Sequence, residues 1–410
     1  MKKLNIKGAS WDSIFLAVAR VLTLLFNILS TKILSVGLNL TEYGTYSQAV
    51  LVSSIGTSVI ALGLADALNY FFNKKKNNDV DALQKQRIIN SVFVLEILLG
   101  AIFATVVILG QYWFVGYFDN TSLYGLLIPV AFLPVLNNLI QFYHVLYISV
   151  GKAKKMSFVS LFSTVVKIIS TYLSVYIAKN IFWIFIVMLV IDVTIIAIYH
   201  ISLMRCNVYI NPFRSSAKHF KAILTYSLPM GVFSITSSLT RDLDKLVIGR
   251  LADTQALAIY TNCSKVLPLD FLVTAFATVL IPYIVQYVTE EQKDLSVKLF
   301  SSYLKVGYYS VWILGTMVLV APTTIISTLY SNEYLSGSTV FILYIFDSML
   351  RFASMHLILT AANKAKSIML YSLISLGMNF VLNIILCFGY GWPSHRYLNL
   401  CDSIHLADLK

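Results

Sequence analysis

Eleven separate stretches of this chain are each long and apolar enough to cross a lipid bilayer, and nothing else in the sequence limits its fold as strongly. A spanning helix needs about 20 largely apolar residues to cross a hydrocarbon core about 30 Å thick. The stretches are roughly 11–38, 43–71, 91–115, 124–150, 158–178, 181–203, 222–250, 256–287, 301–327, 338–361 and 368–388. Several exceed 25 residues, which predicts tilt or interfacial ends. Composition agrees: apolar residues make up 58% of the 410 and charged residues only 12%, half the soluble share of about 25%. A soluble chain of this make-up would leave large apolar patches in water. The 13% aromatic content and low charge exclude disorder. The expected fold class is an all-α polytopic membrane protein. Lys2, Lys3 and Lys7 precede the first stretch, but that stretch is too long for a signal peptide and no small-residue cleavage site follows.

The net charge of +12 raises the question of nucleic acid, and the placement of the charge answers it. Twenty of the 31 lysines and arginines fall in the N-terminus and in segments 72–90, 151–157, 204–221, 289–305 and 362–367. All of these lie on one side if the stretches alternate across a membrane. The opposite loops and the tail hold only Lys179, Arg250, Arg396 and Lys410. This asymmetry predicts a cytoplasmic N-terminus. It also argues against nucleic acid, because the charges are scattered over short membrane loops suited to anionic lipid. No loop exceeds about 20 residues, so a soluble catalytic domain has no room and the chain is not expected to be an enzyme. Cysteines 206, 263, 387 and 401 show no metal spacing, and the six histidines form no ligand set. No phosphate-binding glycine loop is present. Neither a metal nor a cofactor is expected.

The chain resembles itself at an offset of about 213. Thr31-Lys32-Ile33-Leu34 aligns with Asp244-Lys245-Leu246-Val247, each followed by a glycine (Gly37, Gly249) and a tyrosine (Tyr46, Tyr260). Gly151-Lys152-Ala153-Lys154 aligns with Asn363-Lys364-Ala365-Lys366. This predicts two lobes of six helices, residues 1–203 and 222–391, joined by a cytoplasmic linker at 204–221. Six spans is an even number, so the lobes should share one orientation about a pseudo-twofold along the membrane normal. A polar tail, 392–410, is expected to leave the second lobe one helix short, at about 11 spans.

Thr41-Glu42-Tyr43-Gly44-Thr45-Tyr46-Ser47, followed by Ala61-Leu62-Gly63-Leu64, resembles the helix-2 region of polysaccharide flippases. Asp244-Lys245-Leu246-Val247-Ile248-Gly249 and Ala258-Ile259-Tyr260 resemble the start of their second half. Over roughly residues 8–391 the chain is similar to Wzx-type O-antigen or capsular polysaccharide repeat-unit flippases, of the multidrug/oligosaccharidyl-lipid/polysaccharide exporter superfamily. The resemblance implies export of an undecaprenyl-pyrophosphate-linked oligosaccharide across the bacterial inner membrane, in O-antigen and lipopolysaccharide biosynthesis. It implies alternating access through a cationic central cavity, driven by an ion gradient of protons or sodium. Membrane lipids, an O-antigen polymerase and chain-length machinery are the implied partners.

Charged residues inside the spans are the candidate site, since each costs at least about 2.5–3.5 kcal/mol unless it faces a cavity or a partner. Arg20 lies near the middle of the first stretch, with Ser13, Thr23, Asn27 and Thr31 forming one polar stripe. The stripe is expected to face a lumen, contacting pyrophosphate or sugar or bridging to the other lobe. Lys167 has a similar stripe of Ser160, Thr164, Thr171 and Ser174, and is a candidate partner of Asp192. Ser234, Ser238, Arg241 and Lys245 share a strip beside Asp242 and Asp244, with Arg241 expected to bridge to Asp244. Lys265 precedes Pro268, which permits a bend. Arg351 is placed to pair with Asp347. Candidate substrate contacts are therefore Arg20, Asn27, Lys167, Arg241 and Lys265; candidate ion carriers are Asp192, Glu96 and Asp244.

A multidrug/cation antiporter of the same superfamily is the alternative within transporters, and the seven basic residues within spans argue against it. An O-antigen polymerase or membrane glycosyltransferase would need a saccharide-binding loop domain, which the short loops deny. A scaffold for other membrane enzymes would leave the buried cations unexplained.

Overall fold

The computed structural model describes residues 6–73, 80–205, 208–215, 217–265, 292–350 and 365–389. Among these no strand occurs; the elements are helices and turns. In order they are α1 (Ile6–Gly37), α2 (Leu40–Ala61), α3 (Leu64–Asn73), α4 (Val80–Leu109), α5 (Gln111–Phe118), α6 (Leu127–Ser149), α7 (Ala153–Leu173), α8 (Ile181–Met204), α9 (Ala217–Leu251) and α10 (Thr254–Cys263). They continue with α11 (Lys293–Val320), α12 (Pro322–Leu329), α13 (Ser338–Leu350) and α14 (Ala365–Gly389). Seven segments among the described residues are helical, long and apolar enough to cross a membrane: 40–71, 84–109, 127–149, 153–178, 181–204, 219–251 and 297–320. Shorter apolar helices cover Val21–Gly37 and Met369–Val381. The protein is an all-α, multi-pass membrane protein.

Four expected spans differ in detail. The 301–327 stretch breaks at Ala321 between α11 and α12, and in the 256–287 stretch the first helix ends at Cys263. The 43–71 stretch is two helices, because Leu62 (φ 37°) and Gly63 (φ 69°) take left-handed backbone between α2 and α3. The 91–115 stretch ends at Leu109, and the short aromatic helix α5 follows Gly110. The second half of the 256–287 stretch, the end of 338–361 and the 392–410 tail lie outside the described residues, as do Pro268 and Arg351.

The chain divides into two compact units, Met1–Gly37 with Gln48–Asp242, and Leu38–Ser47 with Leu243–Lys410. In the first, α6 is the most enclosed span: 56% of its apolar window is buried, against 22–28% for the spans of α4, α7, α8 and α9. The core gathers Leu64, Leu68, Val92, Phe142, Tyr143, Leu146, Tyr147, Ile195 and Tyr199. The outer faces are apolar instead of polar. On α4, Leu98, Ile102, Val106 and Leu109 recur at three- and four-residue spacing and are all exposed, the pattern of a lipid-facing stripe. Pro134 inside α6 leaves the Val130 carbonyl without its helical donor, while Asn138 Nδ2 donates to the carbonyls of Pro134 and Thr57, each at 2.9 Å, and so ties α6 to α2. Gly63 is required twice over. Its φ disfavours a side chain, and a Cβ would strike the backbone of Ser227 and Gly231.

In the second unit, α2 opens with a capping box. Glu42 N–H donates to Asn39 Oδ1 at 2.8 Å, and Asn39 N–H donates to Glu42 Oε2 at 3.1 Å. The core packs Cys263, Tyr303, Val311, Ile326, Tyr330, Tyr334, Phe341, Ile345 and Met349. Gly44 carries no side chain because a Cβ there would overlap the Thr254 carbonyl.

Candidate functional site

The polar groups that sequence singled out fall into three places. The first joins α7 to α8 in the first unit. Lys167 Nζ stands 2.5 Å from Asp192 Oδ1; the Asp192 side chain is 2% exposed and that of Lys167 31%. A carboxylate this buried requires a counter-charge, and Lys167 supplies it.

The second is the C-terminal half of α9. Arg241 is exposed, and its Nη2 donates to Ser238 Oγ at 3.1 Å and lies 4.0 Å from Asp242 Oδ2. Buried Asp242 also accepts from Ser54 Oγ at 3.0 Å. The expected Arg241–Asp244 bridge is replaced. Asp244 Oδ2 instead accepts from the hydroxyls of Tyr260 on α10 and Tyr344 on α13, each at 2.5 Å, and Oδ1 accepts from Lys245 N–H at 2.8 Å. Successive residues on a helix point about 100° apart, so Asp242 and Asp244 diverge into the two separate units.

The third surrounds Lys265, just beyond α10. Its Nζ donates to Asn262 Oδ1 at 3.2 Å and to Tyr43 Oη at 3.3 Å, and it stands 5.9 Å from the Tyr43 ring centroid. Buried Tyr43 donates to the same Asn262 Oδ1 at 2.5 Å and packs edge-on against Tyr334. The amine is thus held by a hydroxyl and an amide oxygen, at the hydroxyl edge of the Tyr43 ring.

Other expectations resolve differently. Arg20 lies in α1, and its side chain is outside the described residues. Asn27 is exposed. The threonines of both polar stripes bond their own helix: Thr23 to Ala19, Thr31 to Asn27, Thr164 to Ser160 and Thr171 to Lys167, each hydroxyl 2.8–3.0 Å from the carbonyl four residues back. A threonine satisfied in this way tolerates an apolar setting, so the stripes do not by themselves require a wet lumen. Glu96 is 2% exposed, with a buried Oε2 that has no hydrogen-bond partner. Sequence reasoning missed the tyrosines. Tyr43, Tyr260 and Tyr344 orient the polar atoms of the second unit, and only the first two fall inside the motifs at 41–47 and 258–260.

A family model described as "polysaccharide biosynthesis protein" matches residues 33–339. The chain belongs to that family. No curated protein matches. Solved structures are similar in fold at low identity. The lipid II flippase MurJ, in an inward closed conformation, has a TM-score of 0.64 at 16% identity, over 97% of this chain and 93% of that one. A multidrug resistance MATE family transporter of the MOP superfamily, inward-facing, gives 0.58 at 12%, over 90% and 87%. A MOP superfamily transporter from Pyrococcus furiosus, reported with a reversed polarity of its binding pocket, gives 0.54 at 11%, over 91% and 94%. The family member described here therefore has the fold of MOP superfamily transporters.

Proposed function

We propose that this chain is a flippase that moves an undecaprenyl-pyrophosphate-linked oligosaccharide repeat unit across the bacterial inner membrane by alternating access. The observation that carries this reading is a polysaccharide biosynthesis family match over 33–339 on a fold shared with a lipid II flippase. A pyrophosphate headgroup carries about two or more negative charges and cannot cross hydrocarbon unaided. Arg20, Asn27, Lys167, Arg241 and Lys265 are proposed to receive it at different stages. Asp192, Glu96 and Asp244 are the proposed carriers of a coupling proton or sodium ion. The lobes at 1–203 and 222–391, the N-terminus in the cytoplasm, and cooperation with a polymerase and chain-length machinery belong to the same proposal.

The multidrug antiporter reading draws on the MATE similarity. Charge balance alone does not decide between them, because Asp66, Glu96, Asp192, Asp242, Asp244 and Asp347 lie in the apolar helices as well. The family match favours the polysaccharide. Deletion of the gene followed by complementation tests it. Lipid-linked repeat units should accumulate on the cytoplasmic face without the chain, and export should return with it. Accumulation that is unchanged by deletion contradicts the proposal.

A further inference from the structure

We infer that Glu96 is a proton-binding site served by a relay through Tyr143 and His200, which opens at the end of the first unit marked by Lys152, Lys154, Lys155 and Arg205. This rests on the transport reading above and deepens it. It selects one carrier, and a proton as the ion.

The selection follows from partners. Asp192 has Lys167 at 2.5 Å, and Asp244 has two tyrosine hydroxyls and a backbone N–H. Each is already compensated. Glu96 is buried on α4 with Oε2 unpartnered, and among the described residues no lysine or arginine forms an ion pair with it. An ionised carboxylate in that position has nothing to offset its lost hydration, and a bound proton removes that cost.

The elements mainly packed on α4 are α3, α6 and the turn at 211–214. From α6, Tyr143 is within electrostatic range, at the level where Phe93 of α4 meets Phe142 of α6 with ring centroids 5.7 Å apart. From α3, Tyr70 stacks on Tyr226 of α9, and Asp66 lies within electrostatic range of the same tyrosine. The turn at 211–214 presents Asn211, whose N–H donates to Asn90 Oδ1 at 3.0 Å. Tyr143 is the one of these groups whose hydroxyl leads outward. Its hydroxyl lies 3.0 Å from His200 Nδ1 on α8. A second tyrosine–histidine pair, Tyr199 and His144 at 3.2 Å, lies beside it and holds α6 against α8. His200 is half-buried, four residues before the end of α8. At that end Lys155 Nζ donates to Ser202 Oγ at 2.6 Å, which brings the basic 151–157 segment alongside.

Discharge then balances as follows. The Glu96 carboxyl proton passes to Tyr143 Oη as the Tyr143 proton passes to His200 Nδ1. The imidazolium so formed loses its Nε2 proton to water. Glu96 is left as carboxylate, Tyr143 as phenol and His200 as the Nδ1–H tautomer; loading is the reverse. No hydrogen bond joins Glu96 Oε2 to Tyr143, so the first hop needs a carboxyl rotation or one bridging water.

The test uses the purified full chain in lipid nanodiscs, without oligosaccharide. Infrared spectroscopy after a pH jump follows a protonated-carboxyl band, assigned by its loss in Glu96→Gln. Tyr143→Phe keeps the ring and its packing. It should leave the band's amplitude intact and slow its change at least tenfold, and His200→Gln should do the same. A band that changes at the original rate in Tyr143→Phe, or one unaffected by Glu96→Gln, overturns the inference. Because no substrate is present, these outcomes are independent of whether the chain exports oligosaccharide, which the complementation experiment decides.

Discussion

Lys167 Nζ and Asp192 Oδ1, 2.5 Å apart, tie α7 to α8 through an ion pair whose acidic member is fully enclosed. Removing one partner of such a pair strands the other. Lys167→Met is expected to destabilise by about 3–5 kcal/mol. Lys167→Met combined with Asp192→Leu should recover most of that loss, since apolar replacement of both partners is often neutral. Denaturant unfolding in detergent measures both. Equal losses in the single and double variants contradict the pairing. Export by the double variant then reports whether the pair also acts in transport.

Tyr43 and Asn262 predict a second effect. Tyr43→Phe removes the donor to Asn262 Oδ1 and one of the acceptors for Lys265 Nζ, both in a buried setting. A loss of about 1–3 kcal/mol is expected. Thermal unfolding checks it, and Asn262→Leu should cost a similar amount. A Tyr43→Phe variant as stable as the parent contradicts the network.

Gly63 predicts a third. Gly63→Val adds a β-branched side chain at φ 69° against the backbone of Ser227 and Gly231, neither of which can rotate away. The backbone strain alone is about 1–3 kcal/mol, and the clash adds to it. The variant should express poorly and melt earlier. Gly377→Ala is the control, because a Cβ there meets nothing within 4 Å. Equal behaviour of the two variants contradicts the role given to Gly63.

The fold class was legible in the chain because hydrocarbon imposes one requirement, a long apolar helix, and writes it into every span. The motif at 41–47 was legible as a pattern but not as a mechanism. Glu42 closes a capping box with nearby Asn39, a local signature, whereas Tyr43 bonds Asn262 and Gly44 clears the Thr254 carbonyl, partners far along the chain. The break at Leu62–Gly63 was hidden because the residues on both sides remain apolar. The site was only partly legible. Lys167 with Asp192 followed from cost and depth, whereas the Asp244 tyrosines required tertiary structure. Their signal, Tyr260 sixteen residues after Asp244, is visible only once a turn at 252–253 is allowed.

Membrane orientation gives a fourth prediction. The basic segments 72–90, 151–157 and 204–221 are expected in the cytoplasm. With native cysteines replaced, Lys76→Cys and Lys154→Cys should resist an impermeant thiol reagent in intact cells, and Lys179→Cys should react. Efficient labelling at position 76 from outside reverses the orientation.

Arg20 gives the last. It lies in α1, nine residues into the first apolar stretch and about 14 Å along the helix axis. No acid stands three or four residues from it on its own helix: those positions hold Leu16, Ala17, Thr23 and Leu24. Lys167 has Asp192, Arg241 has Asp242 and Lys265 has Asn262 and Tyr43, so each of those cations has a partner in the fold. A guanidinium at mid-membrane depth costs at least about 2.5–3.5 kcal/mol if it faces lipid. Contact with an anionic headgroup during transport would offset that cost, and the planar fork suits phosphate oxygens in pairs. Arg20→Ala is therefore expected to abolish export while expression and melting temperature stay close to the parent. Arg20→Lys should rescue only in part, because an ammonium keeps the charge and lacks the bidentate geometry. Arg20→Gln should behave like the alanine variant, since it keeps hydrogen-bonding capacity without charge. Full export by Arg20→Ala removes the headgroup role, and loss of folding in all three variants makes Arg20 a structural residue of α1.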